Sequence, residues 1–185
     1  MIKYPKRPIL IIDDEKEFLY SVELVLSSNL INNVKLCNDS RKVKRKLEND
    51  SFSLILLDLN MPYKSGFELL PELIEQYPEI PIIIITASND VDSAVACMKM
   101  GAFDFVVKPV DETRLLTIVK RGIDMREIKN ENLRLKESLF NRELKHPEIF
   151  SKIITKSKTI KSIFQYIEAI ADTKLPLLIT GETGA

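Results

Sequence analysis

Five short apolar runs constrain this chain more than any other feature. They read PILIID, NVKLC, FSLILLD, IPIIIIT and FDFVVK, all within the first ~125 residues. Several are apolar at nearly every position. A strand with one wet face alternates, whereas a strand covered on both faces does not. The runs are too short, and too rich in isoleucine and valine, to be core helices. Amphipathic stretches separate them, which predicts an α/β domain with a parallel sheet between two helical layers. EKEFLYSVELVLSSN places Leu19, Val22 and Leu26 on one helix face, and SGFELLPELIEQYP does the same with Phe67, Leu70 and Ile74. Pro71 inside that pattern predicts a helix that starts late or bends. SRKVKRKLEND offers only Val43 and Leu47, and DVDSAVACMKMGA a thin face of Val91, Ala94, Val95 and Met98, which marks its helix equally as a candidate for movement or as a merely exposed helix.

Charge and composition exclude several classes. Acidic and basic residues balance at 27 each, so no strong field draws the chain to nucleic acid or membrane. SRKVKRKLEND is the densest basic stretch, but it lacks aromatic and glycine partners and reads as a solvated helix face. No apolar run reaches the ~18 residues of a membrane span. The start, MIKYPKRPILIIDDE, meets acids too soon for a signal peptide, and a cytoplasmic protein is expected. Cys37 and Cys97 have no CxxC spacing and read as isolated buried thiols in a reducing compartment. His146 has no second ligand nearby and is given no chemical role.

The last helix pattern of this region opens with Asp111 as N-cap and runs from about Glu112 to Phe140, roughly 40 Å at 1.5 Å per residue. Its first half can pack on the sheet, and its second half is expected to project. Met125, Ile128, Asn132, Leu135 and Leu139 fit successive a and d positions of a heptad, with Asn132 at an a position favouring two strands. A parallel pair would couple Asp124 to Lys129 and Glu131 to Lys136, both opposite in sign. A dimer helix is the favoured reading over a single charged helix docked on another domain. Beyond it, SKTIKSIFQYIEAIADT places Ile160, Ile163, Phe164, Ile167 and Ile170 on one side of a further helix, before the strand-like LPLLIT and a glycine-bounded turn. A helix and a strand alone close no core, so this tail is read as the start of a second domain.

Ligands of open α/β sheets bind at the carboxyl ends of the strands. There the first run ends in Asp13 and Asp14, the third in Asp58, the fourth in Thr86 and the fifth in Lys108-Pro109. Three crowded carboxylates call for a cation, and an all-oxygen set with few ligands suits Mg²⁺. Lys108 and the Thr86 hydroxyl are placed to receive an anion. Carboxylate nucleophile, metal, lysine and hydroxyl together describe a phosphoryl-transfer site with an aspartyl-phosphate product.

LIIDDE, LILLDLNMPYKSGFELL, IIIITAS and GAFDFVVKPV resemble the receiver domain of two-component response regulators, over residues 6–125. The resemblance implies a flavodoxin-like, five-stranded parallel sheet in the order 2-1-3-4-5, with a helical linker over 111–143 after it. It implies that Asp58 accepts a phosphoryl group from a sensor histidine kinase. Asp14 would bind one Mg²⁺ directly, Asp13 largely through water, and Asn60 through its backbone carbonyl, with Asp58 completing the set. Thr86 would be the switch hydroxyl, Phe105 the switch aromatic in place of a commoner tyrosine, and Lys108 the phosphate partner. The Lys108–Pro109 bond would be cis, and Asn60 and Ser88 would tune dephosphorylation. Phosphorylation would act on the fourth helix and fifth strand, the face expected to form a homodimer together with the linker.

Residues 147–185 resemble the first part of the AAA+ domain of sigma-54-dependent transcription activators of the nitrogen-regulation type. Gly181, Glu182, Thr183 and Gly184 supply the opening of a Walker A loop, G-x-x-x-x-G-K-[ST], without its second glycine, lysine and hydroxyl residue. No ATP binding, no turnover and no direct nucleic-acid contact is therefore expected of this sequence. Two other functions compete with the phospho-acceptor. A haloacid-dehalogenase-type phosphatase wants two aspartates separated by one residue after its first strand, whereas Asp13 is followed by Asp14 and Glu15. A receiver-shaped dimerisation module that works without phosphate would have no need of the complete set of site residues.

Overall fold

All five apolar runs form strands, and their burial reflects their sequence. The structure, a computed structural model, describes residues 4–87, 90–140, 144–171 and 176–178, and only the backbone of residues 132, 134–140, 158 and 169. In chain order the first unit holds β1 (Ile9–Ile12), α1 (Lys16–Ser28), β2 (Val34–Cys37), a 3₁₀ turn (Ser40–Lys42), α2 (Val43–Asn49), β3 (Leu54–Leu57), α3 (Gly66–Gln76), β4 (Ile82–Thr86), α4 (Val91–Met100), β5 (Asp104–Val107) and α5 (Glu112–Phe140). The unit itself ends at Lys129, inside α5, and a second begins at Asn130. The strands pair in parallel in the order β2-β1-β3-β4-β5. The central strands β1, β3 and β4 are buried at every position, and the edge strands β2 and β5 only in part.

Alternation along each strand divides the core into two layers. Leu10, Ile12, Ile55, Leu57, Ile82 and Ile84 meet α2, α3 and α4, whereas Ile9, Ile11, Leu54, Leu56, Ile83 and Ile85 meet α1 and α5. Leu19, Val22 and Leu26 form the buried face of α1, and Val43 and Leu47 that of α2, as their spacing requires. Gly122 lets α5 lie close on the sheet, since a Cβ there would stand 2.5 Å from Leu54 Cδ1. Asp111 caps α5 through its carboxylate, which accepts from the Arg114 amide at 2.8 Å. Cys37 and Cys97 are buried free thiols.

Three details differ from the sequence reading. The helix containing Pro71 does not start late. It begins at Gly66 behind a capping box of Ser65 and Glu68 and runs through the proline to Gln76. Its core face is Leu69, Leu70 and Leu73, with Ile74 half-buried and Phe67 exposed, because the sheet meets α3 one residue further round than the spacing implied. On α4 the sheet meets Cys97, leaving Val91, Val95 and Met98 as an apolar stripe in solvent.

In the second unit a 3₁₀ turn (Pro147–Phe150) precedes α6 (Lys158–Ile170). The rings of Phe150 and Phe164 stack at 4.5 Å, and the Glu168 carboxylate accepts from the Lys145 and His146 amides at 2.8 and 2.7 Å. The strand expected over LPLLIT is not formed at Pro176–Leu178, where no strand among the described residues offers a ladder, and the rest of that run lies outside the described residues. Among the described residues no helix is long and apolar enough to cross a membrane.

Candidate phospho-acceptor site

The strand ends are held in place by the ladder itself. The Asp13 amide donates to Cys37 O at 3.1 Å and the Asp58 amide to Ile12 O at 2.9 Å, so each residue is still part of the sheet as its side chain leaves it. The Lys108 amide donates to Thr86 O at 2.8 Å in the same way. Asp13, Asp58 and Thr86 are accordingly buried at the carboxyl edge. The Lys108–Pro109 peptide is cis.

Lys108 is the centre of the arrangement. Its Nζ lies 2.7 Å from Asp13 Oδ2, 3.4 Å from Asp58 Oδ1 and 3.7 Å from Glu15 Oε1. The ring of Phe18 lies beneath it, 4.0 Å from centroid to Nζ. Asp13 Oδ1 accepts from the Glu15 amide at 2.9 Å and Asp58 Oδ2 from the Asn60 amide at 2.8 Å. The Asn60 side chain donates to Thr86 Oγ1 at 3.3 Å.

Burial pushes both carboxyls above their ordinary range. For Asp13 the Lys108 ammonium offsets this only in part; for Asp58 it offsets it while the Asp13 charge adds to it. Burial pulls Lys108 down, but Asp13, Asp58 and Glu15 outweigh it, and its pKa stands above the usual lysine value. Two buried carboxylates thus share one ammonium and remain under-neutralised. That donor set, oxygen-only and net negative, fits a hard divalent cation. Among the described residues no three acidic, imidazole or thiol groups already converge as a ligand set, and Asp14 stands exposed at the rim.

The remaining expected residues divide. Phe105 is half-buried against the α2–α3–α4 layer, and its carbonyl accepts from Arg114 at 3.4 Å. Met125 is half-buried and Ile128 is 60% exposed, along a groove of about 400 Å³ that Phe103, Arg121, Asp124 and Lys129 complete. Ser88 and the loop residues Gly181, Glu182, Thr183 and Gly184 lie outside the described residues, as do the side chains of Asn132, Leu135 and Leu139.

Three residues that sequence reasoning passed over support the site. Glu15 and Phe18 flank Lys108, and the helical spacing of Phe18 from Asp14 was a readable signal. Gly66, the first residue of α3, sits where a Cβ would stand 2.0 Å from Asp58 O. A glycine directly after a serine cap, where any residue fits the helix, was the signal for that close approach.

The comparisons agree with this geometry. Residues 9–120 match the model of the response regulator receiver domain. The chain is 30% identical over 177 residues to the C4-dicarboxylate transport transcriptional regulatory protein DctD of Pseudomonas aeruginosa, covering 96% of the chain and 37% of that protein. It is 30% identical over 183 residues to the DNA-binding transcriptional regulator NtrC of Proteus hauseri, covering 97% and 36%. It spans little more than a third of the length of these relatives. The beryllofluoride-activated NtrC4 receiver domain dimer, a solution structure, superposes with a TM-score of 0.61 at 28% identity, over 64% of this chain and 98% of that one. With its sheet order, its buried acidic edge and this match over most of its length, the chain belongs to the response regulator receiver domain family.

Proposed function

We propose that this chain is a phospho-acceptor that receives a phosphoryl group on Asp58 from the phosphohistidine of a sensor kinase. The observation that carries this reading is the pair of buried carboxylates, Asp13 and Asp58, sharing the Lys108 ammonium at the carboxyl edge of the sheet. An Asp58 oxygen attacks phosphorus, the phosphorus–nitrogen bond breaks, and the imidazole leaves with the bonding pair and takes up a proton. Lys108 neutralises charge on the transferred group and orients it. Asp13, Asp14, Asp58 and the Asn60 carbonyl would hold one Mg²⁺, which supplies further charge neutralisation to the phosphoryl oxygens. Phosphate at Asp58 adds charge and acceptor oxygens. Thr86 turns its hydroxyl towards them, Phe105 moves with it, and Asn60 and Ser88 set how fast water removes the group.

That movement biases α4 and β5, where the exposed stripe of Val91, Val95 and Met98 supplies a dimer surface. The heptad along α5 continues the same contact between two copies. Residues 147–185 are the first part of an AAA+ domain that the receiver controls, as in sigma-54-dependent activators, and the protein works in the cytoplasm. The chain itself is a switch that carries one phosphoryl group, with at most slow self-dephosphorylation. Treatment with an acyl phosphate and Mg²⁺ should add one acid-stable, base-labile phosphoryl group, read by intact mass, and none to Asp58→Asn. Repeated phosphate release without a stable adduct, or an adduct on Asp58→Asn, would sink the reading.

A further inference from the structure

The loop after Asp58 contains a strained turn that nothing within the loop explains. The Lys64 amide donates to Pro62 O at 2.9 Å across Tyr63, whose φ is +71°. A three-residue turn closed around a positive φ is a rare, strained form of the γ-turn. Tyrosine is a poor residue for it. Hydrophobic burial does not hold it either, since Tyr63 is 74% exposed.

The holding groups come from another part of the chain, the turn between β2 and α2. Ser40 is 4% exposed, and its hydroxyl donates to Pro62 O at 2.8 Å and accepts from the Lys64 amide at 3.3 Å. One hydroxyl therefore bridges both ends of the strained turn. Arg41 covers its tip, with the guanidinium 3.7 Å from the centroid of the Tyr63 ring. Asp39 fixes that guanidinium in a fork, accepting from Nε at 3.0 Å and from a terminal nitrogen at 2.9 Å. Two residues before the turn is Asn60, whose amide holds the Asp58 carboxylate and whose side chain reaches Thr86. On the far side the Gly66 amide closes the loop onto Leu59 O at 2.9 Å.

We propose that Ser40 and Arg41 are positioning residues for the Asp58 site, a clip that keeps the Asn60–Lys64 loop in the conformation from which Asp58 is loaded. Strain of this kind persists only where the surroundings over-determine it. The clip provides that, and it ties the β2–α2 turn to the reacting carboxylate through the Ser40 hydroxyl, which bonds the backbone of Pro62 and Lys64, and through the Asn60 amide, which holds Asp58. The inference rests on the phospho-acceptor reading, but its structural half can be tested without phosphate.

Ser40→Ala in the full chain should slow acyl-phosphate loading roughly fivefold, since small misplacements of reacting groups are amplified in rate. Amide hydrogen exchange at Asn60 and Lys64 should quicken by about tenfold as the loop opens more often. Tyr63→Gly added to Ser40→Ala removes the strain instead of the clip, and should return both loading and exchange towards the parent values. Wild-type loading and exchange in Ser40→Ala would overturn the proposal. So would a double variant no better than Ser40→Ala, which would mean general damage and not released strain. If the parent chain takes up no phosphoryl group, the phospho-acceptor reading fails by itself, and the exchange rates still decide the clip.

Discussion

Residues of the first unit and of the second share the same amphipathic grammar, yet they end very differently. The first unit buries Leu19, Val22 and Leu26 of α1 completely against a sheet. In the second, α6 is at least as amphipathic by sequence, but among its described side chains only Phe164 is buried, and Ile163 stays 46% exposed, with Ile154, before the helix, at 98%. Periodicity creates a face. It takes a facing sheet to turn that face into a core. The same contrast runs through the chemistry. The groups at the sheet edge are held by ladder hydrogen bonds and buried among charges, whereas the second unit offers surface contacts such as His146 with Glu148 at 3.1 Å.

Cutting one apolar side chain in each unit should separate them most clearly. Leu56→Ala should lower the unfolding free energy by about 2–5 kcal/mol in urea titration, because the sheet closes poorly on the void. Ile163→Ala should change it by no more than ~0.5 kcal/mol, the range of surface positions. Equal losses would show that the second unit hides a core of its own.

Next comes Lys108→Met, which leaves Asp13 and Asp58 buried without their cation. We expect a loss of about 3 kcal/mol at neutral pH, the lower end for breaking a buried pair, because both carboxyls can take up protons. The loss should shrink as pH falls and they do so. In the parent chain, Lys108 has a raised folded pKa. Its contribution is therefore complete below the ordinary lysine pKa and disappears as pH rises through the folded value. A pH-independent effect of the substitution would contradict this account.

Asp58→Asn should act the other way and stabilise the first unit, raising its thermal midpoint by a few degrees. The Asp58 carboxyl has a raised folded pKa, so its ionised form is disfavoured in the fold. The parent chain therefore loses stability as pH climbs from the ordinary carboxyl value through the folded one, and the variant should lack that part of the slope. A lower midpoint for Asp58→Asn would mean that Lys108 over-compensates burial.

The smallest effect on stability should come from Val95→Lys, on the exposed stripe of α4, within about 0.5 kcal/mol of the parent. Its consequence should lie in association. Light scattering with and without beryllofluoride should show a phosphate-mimic-dependent dimer in the parent and a weaker one in the variant.

Much of the fold was legible because buried strands advertise themselves: IIII in β4 has no wet face to report. The site was legible for a related reason, since its groups stand directly at the ends of those strands. Helix faces were less legible. Spacing narrows a face but does not say which edge of it the sheet meets, and on α3 and α4 this exchanged Phe67, Val91, Val95 and Met98 for Leu69, Leu73 and Cys97. Arg126 shows the same limit. It sits among charged residues of α5, yet it is buried and donates to Glu79 O at 3.1 Å.

The sequence by itself determined the five strands of the first unit, the parallel α/β class and the convergence of Asp13, Asp58, Thr86 and Lys108 at one edge, because these depend on local periodicity and on the residues that end each strand. Only the tertiary structure decided that Asp13 is buried while its neighbour Asp14 is exposed, and that Ser40 reaches the turn at Tyr63. Each of these depends on contacts between elements distant in sequence or on the direction a side chain takes as it leaves the sheet, and no pattern along the chain records either.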